Sequence, residues 1–404
     1  MSFVDRRREI RPASGEAPFQ LEEVFFSRTD DRGVIQSGNY IFRRTAHYEW
    51  EELLGAPHKI IRHPDMPKGV FWLLWDTIRH GKPMGAYIKN RAKDGLYYWV
   101  FATVMPCEGG YLSVRIKPTT PLFEAAQEIY AHALQAEQED GLTPEQSAGL
   151  ILSEIKGKGF STYEQFSAKA LSDELVARDA GLNWPEDLVI AASRRMLAAA
   201  EQLEGETRAL IREFETMGTI PHNMRVIASR LEPTGGPVST LSQNYGAMSQ
   251  EISTWFDHHV NGENSNFATI RSSTTESMFM QCMARILVES SKQLGKERRS
   301  LGAIDIPQER KKLAELKDGY TERSREYLAQ VREEASRILA ACRVMHRQVL
   351  GLSTTRVMCK IEGARITNSG ESLHDIITQL ESFQTRIKAR LDKIAEIAEA
   401  IEVS

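Results

Sequence analysis

Asn90-Arg91-Ala92-Lys93-Asp94-Gly95-Leu96-Tyr97-Tyr98-Trp99-Val100 places an Asp-Gly pair between two runs suited to β-strands. Asp and Gly tolerate the backbone angles of a tight hairpin turn, so the pair predicts a hairpin here. One arm runs from Met84 to Arg91, and the other from Leu96 to Met105, rich in Tyr, Trp, Phe and Val. Gly109-Gly110 turns the chain again into a third strand, Tyr111 to Lys117. Upstream, the pattern predicts a helix from Pro67 to His80, with Asp65 as its cap, Pro67 in its first turn and Gly81 at its end. Shorter helices fit Tyr40 to Arg44 and Glu49 to Leu53, with Gly55 placed to stop the second. Two further strands, Glu23 to Arg28 and Val34 to Ser37, flank the turn Asp30-Asp31-Arg32-Gly33. Two strands, short helices and a three-stranded meander make an α+β domain over residues 21–120: a five-stranded antiparallel sheet, helices on one face and a pocket between them.

Past Pro118 to Pro121 the spacing becomes helical. Helices are expected over Pro121 to Gln138, Phe160 to Asp179 and Pro185 to Met217, with breaks at Gly157 to Gly159, Gly181 to Pro185, Pro233 to Pro237 and Gly302 to Pro307. Leu313, Leu316, Tyr320, Tyr327, Val331, Ala335, Ile338, Cys342, Met345 and Val349 keep steps of three, four or seven. So do Leu373, Ile376, Leu380, Phe383, Ile387, Leu391, Ile394, Ile397 and Ile401. Such stripes demand a partner helix, from the same chain or a second copy. The expected organisation is a flexible tail over 1–20 carrying Arg6-Arg7-Arg8, the sheet domain over 21–120, a helical region over 121–232, and an all-α helical bundle or coiled coil over 233–404.

Of the 404 residues, 41% are hydrophobic and 26% charged, with a net charge of -4, a balance that argues against a dedicated nucleic-acid binder. Four cysteines without a CxxC pair exclude a disulfide scaffold and suit reduced thiols. The N-terminus lacks the apolar core of a signal peptide, and no stretch approaches the ~20 apolar residues of a membrane span. A cytoplasmic location follows as an expectation.

Two segments carry more specific information: Pro57-His58-Lys59-Ile60-Ile61-Arg62-His63-Pro64-Asp65-Met66-Pro67 and the hairpin quoted above. With Phe26 to Asp30, Gly33-Val34-Ile35, Asn39, Glu52 to His58 and Phe71 to Trp75, they resemble the flavin-binding PAS domain of bacterial aerotaxis receptors. The resemblance covers residues 21–120. It implies a PAS fold and FAD binding, and carries the cofactor-binding role onto Asn39, Arg62, His63, Asp65, Phe71, Trp75 and Asn90. The residue types suit that role. A flavin ring needs a flat apolar slot, which Phe71, Trp75, Trp99 and Val100 offer, and polar groups at its edge, which Asn39 and Asn90 offer. Arg62 and His63 precede a helix start, where free backbone N–H groups and a cation suit a pyrophosphate. Simpler roles exist for each: Asp65 as a helix cap, the aromatics as core. Met84 departs from the family, which usually has Trp there. Haem is a second option with less support, because His47, His58, His63 and His80 lack a diagnostic spacing for an axial ligand.

No phosphate-binding glycine loop, zinc-ligand spacing or kinase glycine box occurs, so an enzymatic output is not expected. Asp257-His258-His259 reads as a solvated helix end rather than a metal site. Asn223 to Glu232 only weakly resembles the tip of a chemoreceptor signalling hairpin, and Pro233-Thr234-Gly235-Gly236-Pro237 breaks that pattern. The leading expectation is a redox or oxygen sensor, homodimeric, that signals to chemotaxis or two-component partners. The alternatives are an interaction scaffold with a ligand-free PAS fold, and a transcriptional regulator with a helix-turn-helix over Leu142 to Leu175.

Overall fold

The computed structural model describes residues 11–217, 220–231, 239–240, 242–247, 250–251, 254, 265–297, 304–365 and 370–403. Five strands form one antiparallel sheet: β1 (Phe25–Thr29), β2 (Ile35–Gly38), β3 (Met84–Arg91), β4 (Tyr97–Cys107) and β5 (Gly110–Ile116), in the order β2-β1-β5-β4-β3. The hairpin forms where Asp94-Gly95 predicts it, with Gly95 at φ +91° and Ala92 accepting from Gly95 N at 3.0 Å. Side chains alternate between faces along a strand. The register therefore puts Ser27, Ile88, Asn90, Ala102, Val104, Ser113 and Arg115 on one face, and Tyr87, Trp99, Phe101 and Val114 on the other.

The first face is covered by α1 (Tyr40–Ala46), α2 (Trp50–Leu53), a 3-10 turn (His58–Ile61) and α3 (Lys68–Arg79). Asn39 caps α1, accepting from Phe42 N, and Glu49 with Glu52 forms a capping box on α2. Asp65 does not cap α3: the N-cap position belongs to Pro67 and no side-chain cap bond forms. The Asp65 carboxylate instead takes Lys89 Nζ at 2.6 Å, a cation within easier reach than the helix end.

The opposite face is covered by α4 (Pro121–Glu139) and α6 (Tyr163–Gly181), while α5 (Pro144–Gly157) packs on α3. The fit is close: a Cβ on Gly69 would lie 2.6 Å from Ala148 N, and one on Gly85 would lie 2.8 Å from Ser167 Oγ. The helices of the helix-turn-helix option thus spend their apolar faces on the sheet domain, with Ile151, Ile155, Phe166 and Leu171 fully buried. The expected tail also needs correcting from residue 11 onward. Arg11 pairs with Asp94, Gly15 and Ala17 bond to the Tyr97 backbone, and Phe19 buries its ring edge-on against Phe25 at 5.0 Å.

Contacts divide the chain into two units, and not in sequence order: Met1–Ala191 with Thr275–Arg325, and Ala192–Thr274 with Glu326–Ser404. In the first unit, the later part of α9 (Asn266–Lys296) and the start of α10 (Ile306–Arg365) are tied to the sheet domain by ions. Arg178 pairs with Glu289, Arg285 with Asp179, and Arg28 with Glu309 at 2.8 Å. The second unit takes in α7 (Leu188–Met217) from Ala192 onward, α8 (Ile220–Leu231), α11 (Gly370–Val403) and the remainder of α9 and α10. Its core joins Leu203, Leu210 and Phe214 to the expected stripes from Val331 to Val349 and from Leu380 to Ile401. The partner each stripe demanded is therefore supplied within the chain.

Arg6-Arg7-Arg8, Glu232, Pro233 to Pro237, Asp257-His258-His259, Gly302 and Ala303 of the Gly302 to Pro307 break and the side chains of Leu373 and Ile376 lie outside the described residues. Among the described residues, no helix is long and apolar enough to cross a membrane, and no group of three or more His, Cys, Asp or Glu could hold a metal ion.

Candidate functional site

A cavity of about 220 Å³ lies between α3 and the sheet. Its apolar wall comes from α3, where Phe71, Leu74, Trp75 and Ile78 recur at helical spacing, and from Ile88, Ala102 and Val104 on the sheet. Trp75 stands edge-on to Tyr111 at 5.5 Å and abuts the Gly33 turn, where an added Cβ would come within 3.1 Å of the indole. Gly33 has φ +78°, so both backbone and space call for glycine. The mouth carries three cations, Arg32, Lys59 and Arg62. Arg62 lies over the Phe71 ring with its guanidinium 3.4 Å from the centroid.

Four of the eight expected site residues line this cavity: Arg62, Phe71, Trp75 and Asn90. The backbone brings Arg62 and Asn90 together through an isolated antiparallel bridge. The other four sit elsewhere, each for a physical reason. Asn39 is buried and its amide is fully used: Oδ1 accepts from Phe26 N (2.9 Å) and Phe42 N (3.1 Å), and Nδ2 donates to Val24 O (2.8 Å) and Glu297 Oε1 (3.2 Å). His63 Nδ1 accepts from Asp65 N at 3.1 Å, and its ring meets Tyr97 edge-on. Burial and nearby Lys89 hold the His63 pKa below its ordinary value. Asp65 is exposed and bound to Lys89, which keeps its carboxyl below the usual range. Trp99 points to the far side of the sheet, where it packs on Phe123 of α4 at 5.3 Å, because it alternates with cavity-facing Ala102 and Val104 at the wrong parity. The expected pyrophosphate seat after Arg62 and His63 is also displaced. The helix starts only at Lys68, and Gly69 N already donates to Glu137 at 3.1 Å.

Three residues outside the expected eight complete the site: His58, which the sequence offered as a haem candidate, and Ser113 and Arg115, which it did not single out. Arg115 is 4% exposed and donates from Nη2 to Ser27 Oγ at 2.8 Å and to His58 Nε2 at 2.6 Å. Burial lowers its pKa to about 10, so it remains a cation at neutral pH. His58 accepts at Nε2 and stacks flat on Phe42 at 6.0 Å. Burial, then the Arg115 and Arg62 charges, hold it well below its ordinary pKa, hence neutral. Three buried polar atoms of the lining find no hydrogen-bond partner among the described residues: Asn90 Nδ2, Ser113 Oγ and Arg115 Nη1. Buried polar groups are nearly always satisfied, so three unpaired atoms sharing one cavity call for a partner there. A signal existed for two of the missed residues. In Tyr111-Leu112-Ser113-Val114-Arg115-Ile116 the apolar residues alternate with Ser113 and Arg115, which puts those two on the opposite face.

The PAS fold family model matches residues 38–110. The aerotaxis receptor of Escherichia coli K12 is 37% identical over 118 residues, which is 28% of this chain and 23% of the receptor. Among solved structures, a light-oxygen-voltage domain studied with a flavin analogue matches at 20% identity and a TM-score of 0.23, over 30% of this chain and 90% of that one. The light state of the blue-light photoreceptor Aureochrome1 LOV matches at 22% identity and a TM-score of 0.22, over 28% and 90%.

Proposed function

We propose that residues 21–120, a PAS domain of the aerotaxis-receptor type, sense redox or oxygen status through a bound flavin, FAD, and relay it through the helices that follow. One observation carries the reading: a cavity with a largely apolar lining also carries three polar atoms without a partner among the described residues, Asn90 Nδ2, Ser113 Oγ and Arg115 Nη1. That is the donor set which the carbonyl-bearing edge of a flavin ring needs. Phe71 and Trp75 would hold the ring faces, and Arg32, Lys59 and Arg62 at the mouth would meet the phosphates. On this reading the phosphate contacts would lie at the cavity mouth rather than at a helix start. When bound, a flavin supplies reversible electron and proton transfer, which changes the hydrogen bonds its edge makes.

The chain has a route for such a change. β3 carries Asn90 on the cavity face, and Gly85 and Tyr87 on the other. Gly85 N donates to Ser167 Oγ of α6 at 2.9 Å, and Tyr87 OH donates to Glu174 of α6 at 3.0 Å. Glu174 also takes Thr119 N and the Thr120 hydroxyl, just before α4 begins. A shift of β3 therefore pulls on α6 and α4 together. For a signal to result, the two ligand states must favour two protein states by different amounts, typically ~1–3 kcal/mol. A cytoplasmic, non-enzymatic, homodimeric protein acting on a chemotaxis or two-component partner completes the proposal.

The test is purification of the full chain from flavin-replete cells. The expected result is yellow protein whose visible flavin absorbance bleaches on reduction and returns in air. Colourless protein that takes up no FAD refutes the cofactor assignment.

A further inference from the structure

We infer that Arg115, with Ser113 and the His58 ring that braces it, forms a cationic subsite for the acceptor-rich edge of a planar heterocycle, and that the chain keeps this charge at the expense of its own stability. The identity of that heterocycle as a flavin rests on the function proposed above; the subsite does not.

Among the described residues, three other arginines shielded from solvent are paired with carboxylates. Arg178, 1% exposed, donates to Leu21 O and Glu22 O at 2.9 Å and pairs with Glu289. Arg28 pairs with Glu309, and Arg285 with Asp179. Arg115 is buried like Arg178 and more deeply than Arg28 or Arg285, yet among the described residues it is offered a hydroxyl and an imidazole and no carboxylate. Neither carries negative charge. The rings beside it, Phe42 at 5.5 Å and Tyr98, add no counter-ion. A buried charge without a counter-ion is among the more expensive arrangements a fold can hold, and removing it is commonly neutral or stabilising. A neutral partner has one use that a carboxylate lacks: it fixes the guanidinium without consuming its charge. His58 does this by accepting at Nε2 while its ring is braced flat on Phe42.

Nη1 is left over, in the same lining as the Asn90 amide nitrogen and the Ser113 hydroxyl. Two of these three orphans donate only, and the third is a hydroxyl that donates or accepts. The cavity therefore selects a ring edge with adjacent acceptors, such as a pyrimidine-dione, and rejects an edge made of donors or of hydrocarbon. A carbonyl edge there gains a charge-assisted hydrogen bond from a buried guanidinium.

The experiment compares Arg115→Gln and Arg115→Lys with the wild-type full chain, each stripped of bound ligand and titrated with FAD. Melting without ligand and FAD affinity are the two readouts. The inference expects ligand-free Arg115→Gln to melt no lower than wild type while its FAD affinity falls roughly tenfold to a hundredfold. Arg115→Lys, which keeps the charge, should recover part of that affinity. Ligand-free Arg115→Gln melting below wild type assigns Arg115 a structural role and overturns the inference, whatever FAD does. Unchanged FAD affinity in Arg115→Gln overturns it as well. A wild-type chain that takes up no FAD removes the flavin reading alone, and the ligand-free melting comparison still decides the subsite.

Discussion

Glu297→Gln should abolish a pH dependence that the wild-type chain carries between the weakly acidic and neutral ranges. Glu297 is 8% exposed and lies just beyond the end of α9. Its carboxylate takes Tyr40 N at 2.7 Å, Asn39 Nδ2 at 3.2 Å and Gln293 Nε2 at 2.6 Å, with Glu23 and Arg44 also facing it. Burial outweighs these donors and raises its pKa from 4.5 to about 7. The folded state thus binds more protons than the unfolded state between those values. Stability from this group is complete at low pH and is lost as pH rises towards the folded pKa. At ~1.4 kcal/mol per unit, the full effect is at most about 3 kcal/mol. Urea unfolding of both proteins from about pH 5 to about pH 8, followed by tryptophan emission, measures it. Five of the six tryptophans, Trp50, Trp72, Trp75, Trp99 and Trp184, belong to the unit that contains Glu297, so the emission reports that unit. Groups common to both proteins cancel in the difference. The wild type should lose stability relative to Glu297→Gln across this window. Curves that stay parallel, or that converge in the opposite direction, refute the burial argument and leave Glu297 an ordinary ionised cap of α1.

Two further outcomes test the placement of side chains. Arg178→Ala removes the guanidinium that joins Leu21, Glu22 and Glu289, and should cost about 2–3 kcal/mol in urea unfolding by leaving two carbonyls without that donor and Glu289 with Arg285 as its remaining guanidinium. A loss under ~1 kcal/mol would class that pair with screened surface bridges. Trp99→Ala should lose roughly 2–3 kcal/mol through its contact with Phe123 while FAD uptake by the folded protein stays at the wild-type level. Loss of FAD with the fold intact would return Trp99 to the cavity.

The strands and most helices were legible because their causes are local. Asp94-Gly95 and Gly109-Gly110 turn the meander, and Met84 to Arg91 forms a strand with the bounds its sequence suggests. The stripes of α10 and α11 mark core positions by periodicity alone, and Val331, Ile338, Ile387 and Leu391 are fully buried as spaced. Within the site, Arg62, Phe71, Trp75 and Asn90 were legible as a group through the family resemblance, carried by the two quoted segments and by Phe71 to Trp75. Asn39 and Trp99 were not. The residue type of Asn39 permits a ligand contact, but Phe26, Phe42, Val24 and Glu297 saturate it. Trp99 has the right chemistry on the wrong side of a pleat.

Turn chemistry and hydrophobic period act over a few residues, so the amino-acid order alone specified the sheet, the helices and the faces they must bury. Whether a buried polar side chain is spent or spare depends on neighbours far away in the chain: Glu297 uses up Asn39, 258 positions distant, while Arg115 meets Ser27 and His58 and keeps one nitrogen unpaired. No local pattern encodes those meetings. Only the folded chain decided which polar atoms remain for a ligand, because satisfaction of a hydrogen bond is a property of the pair and not of either residue.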